Sequence, residues 1–170
     1  VHGQNIASNQ AAISSFEKGM EALHIGDTVL AFQYIQSAYA FDNGKEDIGF
    51  YFHKLSLIVE RENAEQDAKK WLSNCNNRIY QSKLSFALGT YYFKRQMDTE
   101  AFASFEKVSL DDMDNDDIIL MKYLKGYLNF KAGNWDKATS LLNAVRQVKN
   151  NPNYTNANYY AGFIALEKKD

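Results

Sequence analysis

Large apolar residues return along the chain at i, i+3, i+4 and i+7, and the stripes are broken at short intervals by Gly, Asp and Asn. That spacing places the apolar side chains of each stretch on one face of an α-helix. Nine helices are expected, over residues 8–25, 28–41, 46–61, 64–74, 79–95, 98–109, 116–132, 134–148 and 154–169. Short breaks such as Ala132-Gly133-Asn134-Trp135 suit a tight antiparallel helix pair. In the fifth stretch Phe86, Thr90 and Phe93 share one face, and Leu88, Tyr91 and Tyr92 populate the next. A helix apolar over more than half its circumference is expected to be buried on two sides.

The stripes repeat. One copy reads Phe86-Ala87-Leu88-Gly89-Thr90-Tyr91-Tyr92-Phe93, breaks near Gln96-Met97-Asp98, and continues with Ala101, Phe105 and Val108. The next reads Tyr123-Leu124-Lys125-Gly126-Tyr127-Leu128-Asn129-Phe130, breaks at Gly133-Asn134, and continues with Ala138, Leu142 and Val145. An earlier copy runs through Gly19, Gly26-Asp27, Ala31, Ile35 and Ala38. A degenerate one has Ser56 in place of the glycine, then Asn63, Ala68, Leu72 and Cys75. The markers Gly19, Ser56, Gly89, Gly126 and Gly162 recur every 33 to 37 residues. Glycine inside a helix costs roughly 1 kcal/mol against alanine. Its recurrence at one repeat position therefore implies backbones too close for a Cβ.

This pattern resembles the tetratricopeptide repeat family, over nearly the whole chain after about Ala12. The resemblance implies an all-α, right-handed α-α superhelix of antiparallel helix pairs, a solenoid forming one domain over 1–170. Its copies are 12–45, 49–78, 82–115, 119–152 and the half-copy 155–170. The chain departs from the family at Lys125 and Asn129, where apolar packing residues are preferred, and lacks the usual proline after the second helix, with only Pro152 nearby. In such arrays the first helix of each pair lines a concave groove. Those positions fall on Phe86, Thr90 and Phe93, on Tyr123, Tyr127 and Phe130, and on Tyr159 and Phe163. Lys83, Lys94 and Lys131 would lie along the edge, with His53 and Leu57 contributed by the degenerate copy. Asp170 falls where another helix should begin, and the last helix, with Tyr160, Ala161 and Ile164, would expose an apolar face. The chain is thus read as a fragment of a longer array, that face covered by a neighbouring molecule and offering a route to self-association.

Composition narrows the function. A net charge of −2 with no basic stripe speaks against nucleic acid and against a polybasic membrane surface. No apolar run reaches the roughly 18 residues of a membrane-spanning helix. The single Cys75 cannot form an internal disulfide, and at its repeat position it reads as a small buried apolar residue. Val1-His2-Gly3-Gln4 resembles the small-residue end of a cleaved signal peptide, which favours the periplasm or cell envelope slightly over the cytoplasm. A cloning scar would read the same.

Candidate chemistry is sparse. Asp112, Asp114 and Asp116 alternate like a calcium loop, but Asp117 and Tyr123 stand where an EF-hand needs Gly and Glu. The carboxylates are better read as a solvated loop capping the next helix. His2, His24 and His53 have no metal-ligand spacing, and no phosphate loop, nucleophile elbow or dinucleotide fingerprint is present. Asn153-Tyr154-Thr155 matches a glycosylation acceptor by a pattern common by chance. No catalytic residue, cofactor or metal is expected. The sequence points first to a non-catalytic scaffold that holds a protein or peptide in the groove. A glycan- or small-ligand-binding helical domain of an exported bacterial protein is the alternative, since aromatic platforms also stack on sugars. A regulatory or enzyme-associated domain within a longer protein is a third.

Overall fold

The computed structural model describes residues 2–168, with side chains from residue 9 onward. Over that span the protein is all-α, with nine α-helices, one 3-10 turn and no strand among the described residues. The helices are α1 (His2–His24), α2 (Thr28–Phe41), α3 (Glu46–Ile58), α4 (Ala64–Asn74), α5 (Arg78–Lys94), α6 (Asp98–Phe105), α7 (Asn115–Lys131), α8 (Trp135–Arg146) and α9 (Tyr154–Lys168). The expected signal-peptide remnant and the chain's last two residues lie outside the described side chains, as does His2. Two compact units divide the chain, Val1–Leu88 and Gly89–Asp170.

In the first unit α1 packs on α2, α2 on α3 and α3 on α4. Ala12 meets Ala38 at one end of the first helix pair and Ala22 meets Ala31 at the other, so α1 and α2 run antiparallel. Ile35, Phe52 and Leu55 complete that core, with Phe16 and Tyr39 packed against it. The second unit is built around Ala138, Leu142 and Val145 of α8 and Ala157, Ala161 and Ile164 of α9. Ile119, Tyr123 and Phe130 of α7 close over them.

The repeat register is visible as burial. Twelve residues after each of the first four markers stands a fully buried alanine: Ala31, Ala68, Ala101 and Ala138, all 0% exposed. Sixteen residues after the glycines stand Ile35, Phe105 and Leu142, each no more than 1% exposed. These are the side chains that lie on the glycines: a Cβ on Gly19 would sit 2.7 Å from Ile35, one on Gly89 2.4 Å from Phe105, and one on Gly126 3.1 Å from Leu142. Close approach of the paired helices is therefore what the glycines provide. The degenerate copy keeps the alanine at Ala68 and buries Ser56 completely. Its close approach has moved to Gly49, where a Cβ would stand 2.4 Å from the indole nitrogen of Trp71.

The turns keep register too. Seven residues after the marker the backbone is left-handed in all four copies: Gly26 (φ 82°), Asn63 (φ 59°), Gln96 (φ 60°) and Gly133 (φ 74°). In three of them the next amide bonds back five residues, Asp27 to Ala22, Met97 to Tyr92 and Asn134 to Asn129, while the left-handed residue bonds back three. This pairing satisfies the last carbonyls of the first helix and ends it. Asp27 then caps α2 by accepting from the Leu30 amide at 3.0 Å. Glycine is the residue best suited to a left-handed cap. Gln96→Gly is expected to raise stability by about 0.5–1 kcal/mol in urea unfolding followed by circular dichroism.

Two helices stop three or more residues short of expectation. α3 ends at Ile58, three residues early, because Glu60 is itself left-handed (φ 57°). α6 ends at Phe105, so Val108 lies in the following loop. In the acidic loop Asp114 takes the N-cap of α7 without a side-chain bond to it, while Asp116 and Asp117 occupy the first turn, where the helix dipole favours them. The polar departures are accommodated. Buried Asn129 donates to the Lys125 carbonyl at 2.8 Å, and the Lys125 ammonium pairs with Glu106 at 2.6 Å. Cys75 is 7% exposed, and burial foremost pushes its thiol pKa up.

Candidate functional site

The second unit carries a continuous sheet of rings. Three and four residues are neighbouring steps on a helix face, so Tyr127 and Phe130 of α7 stand one turn apart, with ring centres 6.4 Å apart. Phe93, on the last turn of α5, meets Tyr127 edge-on at 5.7 Å. From α9, Tyr160 lies 5.0 Å from Tyr127 and 4.9 Å from Phe130. Phe163 meets Phe130 edge-on at 5.5 Å, and Tyr159 meets Tyr160 at 5.3 Å. Such offset and edge-on pairs add roughly 0.5–1.5 kcal/mol each beyond area burial, enough to hold the rings as one surface.

The hydroxyls have partners. Tyr123 is hydrogen-bonded to the Asn156 side chain, and Tyr127 is hydrogen-bonded to Tyr160. Burial foremost raises the phenol pKa of Tyr123 and of Tyr160; the Asn156 bond acts to lower that of Tyr123, which accepts it, and the Tyr127 bond to raise that of Tyr160, which donates it. Lys131 closes one edge. Its ammonium is 2.5 Å from Asp98 and 5.9 Å from the centre of the Tyr127 ring. The bond to Asp98 foremost raises its pKa.

Beyond this sheet α9 exposes a stripe at helical spacing. Tyr159 is 67% exposed, Phe163 39% and Leu166 78%, with Gly162 between them. At Gly162, unlike the earlier markers, a Cβ would meet nothing within 4 Å.

Of the residues singled out from sequence, Phe93, Tyr127, Phe130 and Phe163 are in direct ring contact, Tyr159 joins through Tyr160, and Lys131 borders the set. Tyr123 lies one turn before Tyr127, packed against the α8–α9 core. Thr90 is half-buried and Lys94 exposed, both on α5. Phe86 and Lys83 belong to the first unit, Phe86 buried and Lys83 half-buried. His53 and Leu57 are likewise in the first unit, and both are buried. Tyr160, expected with Ala161 and Ile164 on an exposed face of the last helix, instead turns into the ring sheet, and Ala161 and Ile164 are buried in the core, so the exposed stripe is the neighbouring one of Tyr159, Phe163 and Leu166. Asn156 and Asp98 were missed. The Tyr159-Tyr160 doublet was the available signal, since one of two adjacent large rings on a helix must turn towards its neighbours.

Among the described residues no helix is long and apolar enough to cross a membrane. Comparison of the chain with protein-family models, with curated proteins and with solved structures finds no match.

Proposed function

We propose that the protein is a non-catalytic scaffold of tetratricopeptide-like helix pairs that holds a protein or peptide against its aromatic surface. The observation that carries this reading is the ring network of Phe93, Tyr127, Phe130, Tyr160 and Phe163, running on to the exposed stripe of α9. Tyrosine gives a binding surface large contact area, few rotatable bonds and a hydroxyl that tolerates water. Here the rings brace one another, so little side-chain freedom is left to lose on binding. An extended segment can lay successive side chains between rings spaced about 5–6 Å apart.

Affinity capture with crosslinking tests it. The parent is compared with a Tyr127→Ala, Tyr159→Ala, Phe163→Ala variant shown by circular dichroism to remain helical. A protein retained by the parent is expected to fall at least roughly tenfold in the variant, as loss of hot-spot aromatics implies. Equal retention would move the binding surface elsewhere. Retention of soluble glycans in place of any polypeptide would replace the scaffold reading with the sugar-binding one.

A further inference from the structure

The first unit holds a cavity of about 470 Å³ whose inner wall includes His53. The imidazole is 4% exposed, and neither ring nitrogen has a hydrogen-bond partner. Three rings enclose it: Tyr39 edge-on at 5.6 Å, Phe52 at 5.1 Å and Trp71 at 5.7 Å. Tyr39 lies flat on Phe52, 4.1 Å between centres. Gly49, one turn before His53, is what lets the Trp71 indole settle on α3.

The charged groups of the wall are Arg61, Asp67 and Lys70. Arg61 folds back from the α3–α4 turn, its guanidinium 5.3 Å from the Phe52 ring centre, and pairs with Asp67. Its Nε donates to the Ser56 hydroxyl at 3.3 Å. Lys70, on the next turn of α4, also lines the cavity. Two cations thus stand against the one carboxylate of Asp67. Buried polar atoms in folded proteins are nearly always hydrogen-bonded, and one left without a partner is costly. The protein supplies none to His53, and the cavity that His53 lines is the adjoining space from which one could come.

We propose that this cavity binds a small carboxylate with a flat apolar body, the carboxylate held by Lys70 and Arg61 and bonded to His53, the body lying against Tyr39 and Trp71. The volume is that of a small-molecule site, and the wall joins the rings of Tyr39, Phe52 and Trp71 to the polar groups of His53, Arg61, Asp67, Lys70 and Asn74. A neutral imidazole offers one N–H donor and one bare nitrogen. The N–H donates to a carboxylate oxygen. Both ring nitrogens are shielded as they stand; a half-turn of the ring about its Cβ–Cγ bond, which exchanges nitrogens for carbons without changing its volume, is the movement that would turn one towards the ligand. Arg61 is pre-oriented by Asp67 and Ser56, and a charge-assisted bond to a preset guanidinium is stronger than a neutral one.

Sodium benzoate is the probe, titrated at neutral pH into the whole chain carrying ¹⁵N-labelled histidine. The His53 ring nitrogens are expected to shift saturably, while those of exposed His24 stay in place. Lys70→Gln lies on an exposed position of α4 and leaves the cage intact. It is expected to weaken the response by roughly fivefold or more, as is replacement of benzoate by benzamide, which has the shape without the charge. If His53 does not respond up to tens of millimolar benzoate, the ring is satisfied by water and the proposal falls. If benzamide matches benzoate, the cavity does not select a carboxylate and the assigned ligand class is wrong.

Discussion

Gly89→Ala is expected to destabilise the protein by about 2 kcal/mol, although alanine is the better helix former. The added methyl would start 2.4 Å from the ring of Phe105, which is 1% exposed and cannot swing aside. Either the ring leaves its rotamer or α5 and α6 part. At a domain of this size that loss lowers the thermal midpoint by roughly 4–8 °C. Gly162→Ala is the control. It is also helical, but its new methyl meets nothing within 4 Å, so only the propensity gain of about 0.5–1 kcal/mol remains and the midpoint rises. Urea unfolding of both variants decides the matter: midpoints moving in the same direction would show that the repeated glycine has no packing role. Trimming the partner in Gly89→Ala, Phe105→Leu is expected to recover part of the loss, because the two sites share one space.

The second large effect is on pH dependence. His53 is held neutral by its surroundings, its pKa lowered to about 4, chiefly by burial among Tyr39, Phe52 and Trp71. Asp67 acts to raise it and Arg61 to lower it further. In the unfolded chain the same imidazole titrates near 6.5. Between the two values the unfolded state binds the extra proton, so stability is complete above about pH 6.5 and falls as pH drops to about 4. The loss amounts to about 3 kcal/mol. Carboxylates titrate over part of the same range, so the measurement is a difference. The fall in unfolding free energy from pH 7.5 to 4 should be about 3 kcal/mol steeper for the parent than for His53→Leu. Leucine has nearly the volume of the ring and abandons no hydrogen bond, so it is expected to be well tolerated at neutral pH. Parallel pH profiles for the two proteins would mean that the imidazole takes up its proton in the fold as readily as in the unfolded chain.

Helices were legible because their signal is local. The period of the apolar positions and the Gly-Asp and Gly-Asn breaks lie within one turn of where they act, and the ends of α2 and α4 fall where the pattern places them. Even the degenerate copy could be aligned, through Ala68 and Asn63, without its glycine. What escaped depends on small rotations and on chain reversal. Tyr159 and Tyr160 differ by one residue, about 100° around the helix, and only the packing of α9 decides that Tyr160 turns to Tyr127. The cage around His53 needs Arg61 to fold back over Phe52, which follows from the left-handed Glu60 and Asn63 and from no periodicity. The Gly49–Trp71 approach is off the repeat register altogether, so the pattern that reveals the other three approaches hides this one.

The sixteen-residue step between each glycine and its covering side chain also bears on how the chain reaches its native state. Gly19 with Ile35, Gly89 with Phe105 and Gly126 with Leu142 each close a loop of only one helix pair. Loop closure of that size is fast and costs little entropy. A helix pair can therefore gather its own tight contact as soon as its second helix has left the ribosome, before the following pair has been translated. Chains dominated by such short-range contacts fold on the microsecond-to-millisecond scale. Synthesis, at tens of milliseconds or more per residue, would then set the pace.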